Sequence, residues 1–226
     1  MKNNYSLTIS IFLFFISVCN ICMETEAKPL CPVIKERINF TVKVIPKNIS
    51  YNLDLRQKEL NQLAGKNLKQ KSNQRVLGLT STKQSVSARM RGHTTQISSS
   101  LYCTGITTVD VEIKVMQLNV YVLGKYPRGS CQYSAIIDHE HEHVATYQTG
   151  ISELERVFNN RLWNIIRNLP PGIASTSKRS ANAAFKHMEE KITALRTPIE
   201  QAMKYRDRQI DTPLSYKLLT QQCASW

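Results

Sequence analysis

Past its N-terminal end the chain has no apolar run approaching the ~20 residues that a helix needs to cross a bilayer. It also has no dense block of lysine and arginine, although its formal net charge is +13. The basic residues are spread along the chain, from Lys43 to Lys217 among others, without the aromatic interleaving of single-strand binders. This argues against nucleic acid as a partner and for a solvated basic surface, with anionic cell-envelope polymers as the natural attraction. Cys31, Cys103, Cys131 and Cys223 include no CxxC pair, so no zinc knuckle is expected. Histidine is scarce. There are five in 226 residues, yet His139, His141 and His143 fall in one pentapeptide.

The N-terminus reads as a leader. Lys2 gives a weak positive start, and Leu7–Cys19 is an apolar run of about 13 residues, shorter than a comfortable span. Thr25-Glu26-Ala27 places small residues where a signal peptidase reads, which predicts a signal peptide over 1–27 and a single mature domain over 28–226. Export makes the remaining cysteines disulfide candidates. Cys103 with Cys131 would tie a strand to the start of the helix that follows, and Cys31 with Cys223 would fasten the chain ends.

His139-Glu140-His141-Glu142-His143 contains His-Glu-x-x-His. Residues four apart on an α-helix share a face, so His139 and His143 can direct both imidazoles at one ion. Glu140 is rotated about 100° from His139, out of line as a ligand but within reach of a water beside the ion. Zinc chemistry uses this combination of neutral nitrogen ligands, an open position and a carboxylate that takes a proton from water.

The surrounding pattern places the motif. Residues 38–55 are rich in β-branched side chains and interrupted by Pro46, which predicts two short strands; Leu60, Leu63 and Leu68 mark a short helix. Residues 69–100 are polar, with weak strand signals at 76–79 and 85–90. Val109, Val111, Ile113 and Val115 alternate with polar residues as a half-buried strand, continued by Leu118, Val120 and Val122 after a change of phase. A turn over 124–129 and the N-cap candidate Ser130 precede one long helix, or two nearly collinear ones, ending at Pro170-Pro171-Gly172. Glu140 sits in a gap of that helix's apolar stripe, which puts the carboxylate on the buried face and the two histidines at its margin. Gly150, on the same face, marks either a close approach by another element or a break. After a linker over 175–180 a second helix begins. Thr197-Pro198-Ile199-Glu200 reads as a cap and restart within it. The fold class expected is α+β: a small N-terminal and central antiparallel sheet packed against a long HExxH helix and a second, kinked C-terminal helix.

The third ligand is open on these grounds. Position 149, where a third histidine would extend the motif, is Thr149, and a glutamate twenty residues past His143 would fall on Trp163. Asp211, His187, Glu190 and Glu153 remain as candidates. Tyr147 and Tyr216 are candidates for stabilising an oxyanion.

The order of elements resembles a bacterial family of predicted secreted zinc-dependent proteases, catalogued as a domain of unknown function. The resemblance rests on the Ile49-Ser50-Tyr51 strand, the Leu60/Leu63 helix, a cysteine before the motif, the HExxH itself and the Ile210–Tyr216 segment. That segment keeps the family's aspartate as Asp211 but not its tyrosine and histidine, Tyr216 standing in the histidine position. The resemblance favours Asp211 as third ligand and implies a secreted or periplasmic hydrolase acting on protein or peptide through zinc. A non-catalytic metal-binding protein of the cell envelope is the alternative, with His141 and Glu142 as a metal-capturing patch.

Overall fold

In a computed structural model, the described residues are 31, 38–65 and 76–226. The expected leader, 1–27, lies outside them, as does the stretch 66–75 with the predicted helix's Leu68. No helix among the described residues is long and apolar enough to cross a membrane.

The sheet is built around one strand. β4 (Leu101–Leu123) pairs antiparallel along its whole length with β3 (Gly78–Ser98), as a hairpin. β5 (Gly172–Ala174), β1 (Asn39–Ile45) and β2 (Ser50–Leu55) occupy successive parts of its other edge. β1 and β2 run parallel to β4, so the sheet is mixed rather than antiparallel. The short helix α1 (Gln57–Gly65) follows β2 and buries Leu60 and Ala64.

A bulge explains the change of phase in β4. Lys83 pairs with Gln117 and Gln84 with Val115, which leaves Met116 unmatched. Val109, Val111, Ile113 and Val115 face the core before it, and Leu118, Val120 and Val122 after it. Cross-strand partners share a face. The inner row of β3 is therefore Gly78, Thr80, Thr82 and Gln84, then Val86, Ala88 and Met90. Half that row is polar, which is why the segment gave only weak strand signals.

Two long helices cover the inner face. α2 (Cys131–Asn168) starts at Ser130, whose hydroxyl accepts from the Tyr133 N–H, and is a single unbroken helix. Its buried stripe runs Ile136, Glu140, His143, Tyr147, Ile151, Leu154, Phe158, Leu162 and Ile166. Gly150 is a point of close approach, since a side chain there would collide with Met203 of the next helix.

α3 (Ser177–Ile210) starts earlier than expected, capped by Thr176, and the linker is correspondingly shorter. It continues through Pro198 without restarting. Thr197 does not cap; its hydroxyl donates to the Thr193 carbonyl one turn back. Ile192, Leu195, Ile199 and Met203 all pack on the core, so burial on both sides of Pro198 outweighs the lost backbone hydrogen bond. α4 (Pro213–Gln221) follows immediately, with Thr212 and Ser215 forming a reciprocal capping box and Pro213 opening the helix.

The disulfides are Cys31–Cys103 and Cys131–Cys223, with Cα separations of 5.8 and 5.9 Å. The expected pairing, Cys103 with Cys131 and Cys31 with Cys223, is thereby corrected. Cys103 lies in β4 opposite β5, whereas the N-terminus of α2 is met by the end of α4, where Cys223 lies. Two disulfides are compatible with an extracellular or periplasmic protein.

The junction of β5 and α3 is closely packed. Gly172 faces the backbone of Ser180 and Ala184, and Ser180 is fully buried with its hydroxyl 2.6 Å from that of Thr104. Because the obstacle is backbone, Gly172→Ala is expected to destabilise the protein by ~3 kcal/mol, the upper end for overpacking. Urea unfolding of the oxidised protein measures this, and an unchanged midpoint would show that the junction relaxes freely.

Candidate metal centre

α2 and the end of α3 bring three ligand-type side chains together. His139, His143 and Asp211 each offer one atom within 4.8 Å of the others. His139 Nε2 and His143 Nε2 each lie 3.3 Å from Asp211 Oδ1. Two ligand atoms about 2.0–2.1 Å from a tetrahedral ion are separated by roughly 3.3–3.4 Å, so the spacing fits a metal. The histidine side chains are 10 % and 8 % exposed and Asp211 36 %, which leaves the group open on the Asp211 side.

Local structure explains the convergence. The two histidines are one turn apart on α2, with ring centroids 5.2 Å apart. Asp211 is the C-cap of α3, where the chain leaves the helix before the Thr212 capping box turns it into α4. One turn into α4, Tyr216 donates its hydroxyl to Asp211 Oδ1 at 2.8 Å, and its ring lies 5.4 Å from that of His139. Tyr216 therefore anchors the carboxylate. Tyr147, the other oxyanion candidate, is buried, and its hydroxyl has no hydrogen-bond partner among the described residues.

Asp207 was not anticipated. One turn before Asp211 on α3, its Oδ1 lies 2.6 Å from His143 Nδ1. A proton held on Nδ1 by this carboxylate leaves Nε2 free as a ligand, the usual way a histidine is oriented toward a metal. Only its spacing of four from Asp211 hinted at this, and that spacing becomes informative only once α3 is known to stay helical there. Asp207→Asn is expected to weaken zinc affinity ~10–100-fold, measured by competition with a chromophoric chelator. Unaltered affinity would remove Asp207 from the site.

The electrostatics favour a cation. Burial disfavours a charged His143, but hydrogen bonds to Asp207 and Asp211 outweigh it and raise the imidazole to about 10. For Asp211, burial is likewise opposed, and hydrogen bonds from His139, His143 and Tyr216 hold the carboxyl well below its ordinary range. The field that holds a proton on His143 also favours a divalent ion among the same atoms.

Glu140, next to His139 on α2, is 4 % exposed. Its Oε2 accepts from Thr80 Oγ1 at 2.7 Å, and its Oε1 lies over Gly78, where a side chain would collide with it. Burial pushes its pKa up, while the Thr80 hydrogen bond and the neighbouring histidines pull it down. Thr80 and Gly78 come from the polar half of the β3 inner row, so strand and helix position this carboxylate together.

The other candidates lie elsewhere. His187 Nδ1 is 3.3 Å from the Pro170 carbonyl, Glu190 is exposed, and Glu153 pairs with Arg156. His141 meets Tyr51 of β2, hydroxyl to Nε2 at 2.9 Å, and is not part of the ligand cluster. No family model, curated protein or solved structure matches the chain.

Proposed function

We propose that this chain is an exported zinc-dependent peptidase, a divergent member of the secreted protease family its motifs resemble. The observation that carries the reading is the meeting of His139, His143 and Asp211 from two helices, with Glu140 buried on the same helix as the histidines. These three side chains would hold the ion. Zinc, when bound, supplies a Lewis acid for a peptide carbonyl and lowers the pKa of water. Glu140, oriented by Thr80, would take the proton of the attacking water and deliver it to the departing amine. Asp207 holds the His143 tautomer, and Tyr216 keeps Asp211 turned toward the histidines. The substrate class is protein or peptide, and the basic surface favours a station near anionic envelope polymers.

Purified mature protein should contain close to one zinc per chain by elemental analysis. His143→Ala and Asp211→Ala should each lose most of it, since each removes one of three protein ligands. Full loading in the His139→Ala/His143→Ala double variant would overturn the assignment.

A second reading, a metal-binding envelope protein without hydrolysis, draws on the Thr80–Glu140 hydrogen bond. That bond ties α2 to β3 and gives Glu140 a structural role with no need of chemistry.

A further inference from the structure

The end of α3 and the whole of α4 run back along α2 as one ridge. Met203 lies where a side chain on Gly150 would collide with it, Asp207 meets His143, and Asp211 meets His143 and His139. Tyr216 then packs on His139, Leu219 joins Ala135 in one buried cluster, and Cys223 is bonded to Cys131. These six side chains mark the side of the ridge that faces α2. Side chains about 160–200° round either helix from them point away from it. On α3 that position belongs to Tyr205, two residues after Met203 and two before Asp207. On α4 it belongs to Leu214 and Leu218, each two residues from Tyr216 and one turn from each other.

The exposures agree with this geometry. Tyr205 is 58 % exposed, Leu214 64 % and Leu218 53 %, the three highest values among the large apolar residues described. Basic side chains accompany them. Arg206 and Arg208 flank Tyr205 and Lys217 adjoins Leu218, all three exposed. The acidic residues from 204 to the end of α4 are Asp207 and Asp211, and both are turned toward the histidines of α2. The outward side of the ridge is thus apolar and cationic, with no carboxylate.

We propose that the outward side of this ridge is a docking surface for an anionic lipid membrane. Leu214, Leu218 and Tyr205 enter the interface, and Arg206, Arg208 and Lys217 meet the headgroups. A helix with leucines on one side and lysine or arginine beside them lies in the plane of the interface instead of crossing it. No helix among the described residues is built to cross a membrane. A soluble anionic polymer would answer the charges but leave the leucines in water, whereas an anionic bilayer takes up both. Docked this way, Asp211, at the joint of α3 and α4, stands ~10 Å from the headgroups, one helix diameter. The surface is defined without reference to catalysis, so it holds or fails independently of the peptidase reading.

The test is co-sedimentation of the oxidised mature chain with vesicles of phosphatidylcholine containing roughly one-third phosphatidylglycerol, and with phosphatidylcholine alone. Binding to the mixed vesicles should exceed binding to the neutral ones at least about tenfold, since each basic residue at an anionic surface contributes roughly fivefold. Leu214→Gln/Leu218→Gln should lose at least about tenfold on the mixed vesicles. Full burial of one leucine corresponds to roughly 10- to 150-fold, and these two start more than half exposed. Arg208→Gln/Lys217→Gln should lose a similar factor. Zinc content and thermal midpoint should stay at the parent values in both variants, because none of the four side chains faces α2. No binding to the mixed vesicles, equal binding to the neutral ones, or binding left intact by the leucine replacements would each overturn the proposal. In the last case, parallel binding of soluble polyglutamate would identify a charge-driven polymer site instead.

Discussion

Glu140→Gln will lower peptide cleavage by about 10²–10⁴-fold, the range that a positioned general base contributes, while leaving zinc in place. The amide is nearly isosteric with the carboxylate, and its oxygen can still accept from Thr80 Oγ1, so the tie between α2 and β3 survives. What it loses is the capacity to take a proton. This separates the two functional readings, because a purely structural Glu140 should tolerate the change. The measurement is kcat/KM on an unstructured protein substrate, alongside zinc content and thermal stability of the same preparation. Undiminished cleavage with zinc retained would eliminate Glu140 as the base and point to a contaminating activity.

The second large effect concerns Cys131–Cys223. Replacing both cysteines by serine should cost about 4–5 kcal/mol in the chain-entropy account, given a sequence separation of 92. The loop it closes contains all of α2 after its first residue and all of α3 and α4, with every proposed ligand inside it. Unfolding in guanidinium should therefore move to a much lower midpoint, and zinc should be released early in the transition. A midpoint shift equivalent to less than about 1 kcal/mol would show that packing of Leu219, Ala135 and Trp226 holds this end without the bond.

The metal helix was legible because its signal is local. A repeat near 3.6 with Glu140 in its gap fixes which face is buried, and the structure places Glu140 and His143 there. Ser130 as cap and the stop before Gly172 were readable for the same reason. β3 was not, since an inner row of Gly78, Thr80, Thr82 and Gln84 carries no hydrophobic alternation. Gly78 and Thr80 serve Glu140, so the sequence is opaque where the strand faces the site. Thr197-Pro198 has the local signature of a helix start, but Ile199 and Met203 continue the packing of Ile192 and Leu195 and carry the helix through. The disulfide pairing and the role of Asp207 depend on which ends of elements meet in space, which spacing along the chain does not encode.

Asp211 sits between two fastenings, the ligand cluster on one side and, beyond α4, the bond at Cys223. Once that bond has formed, Asp211 can no longer diffuse away from the histidine pair, and its local concentration is set by a short tether instead of by the free chain. Closing the bond would thus favour any metal binding at this cluster. With the thiols joined, the three side chains are held within reach of one another, whereas reduction leaves Asp211 tied to the histidine pair only by the packing of α3 and α4.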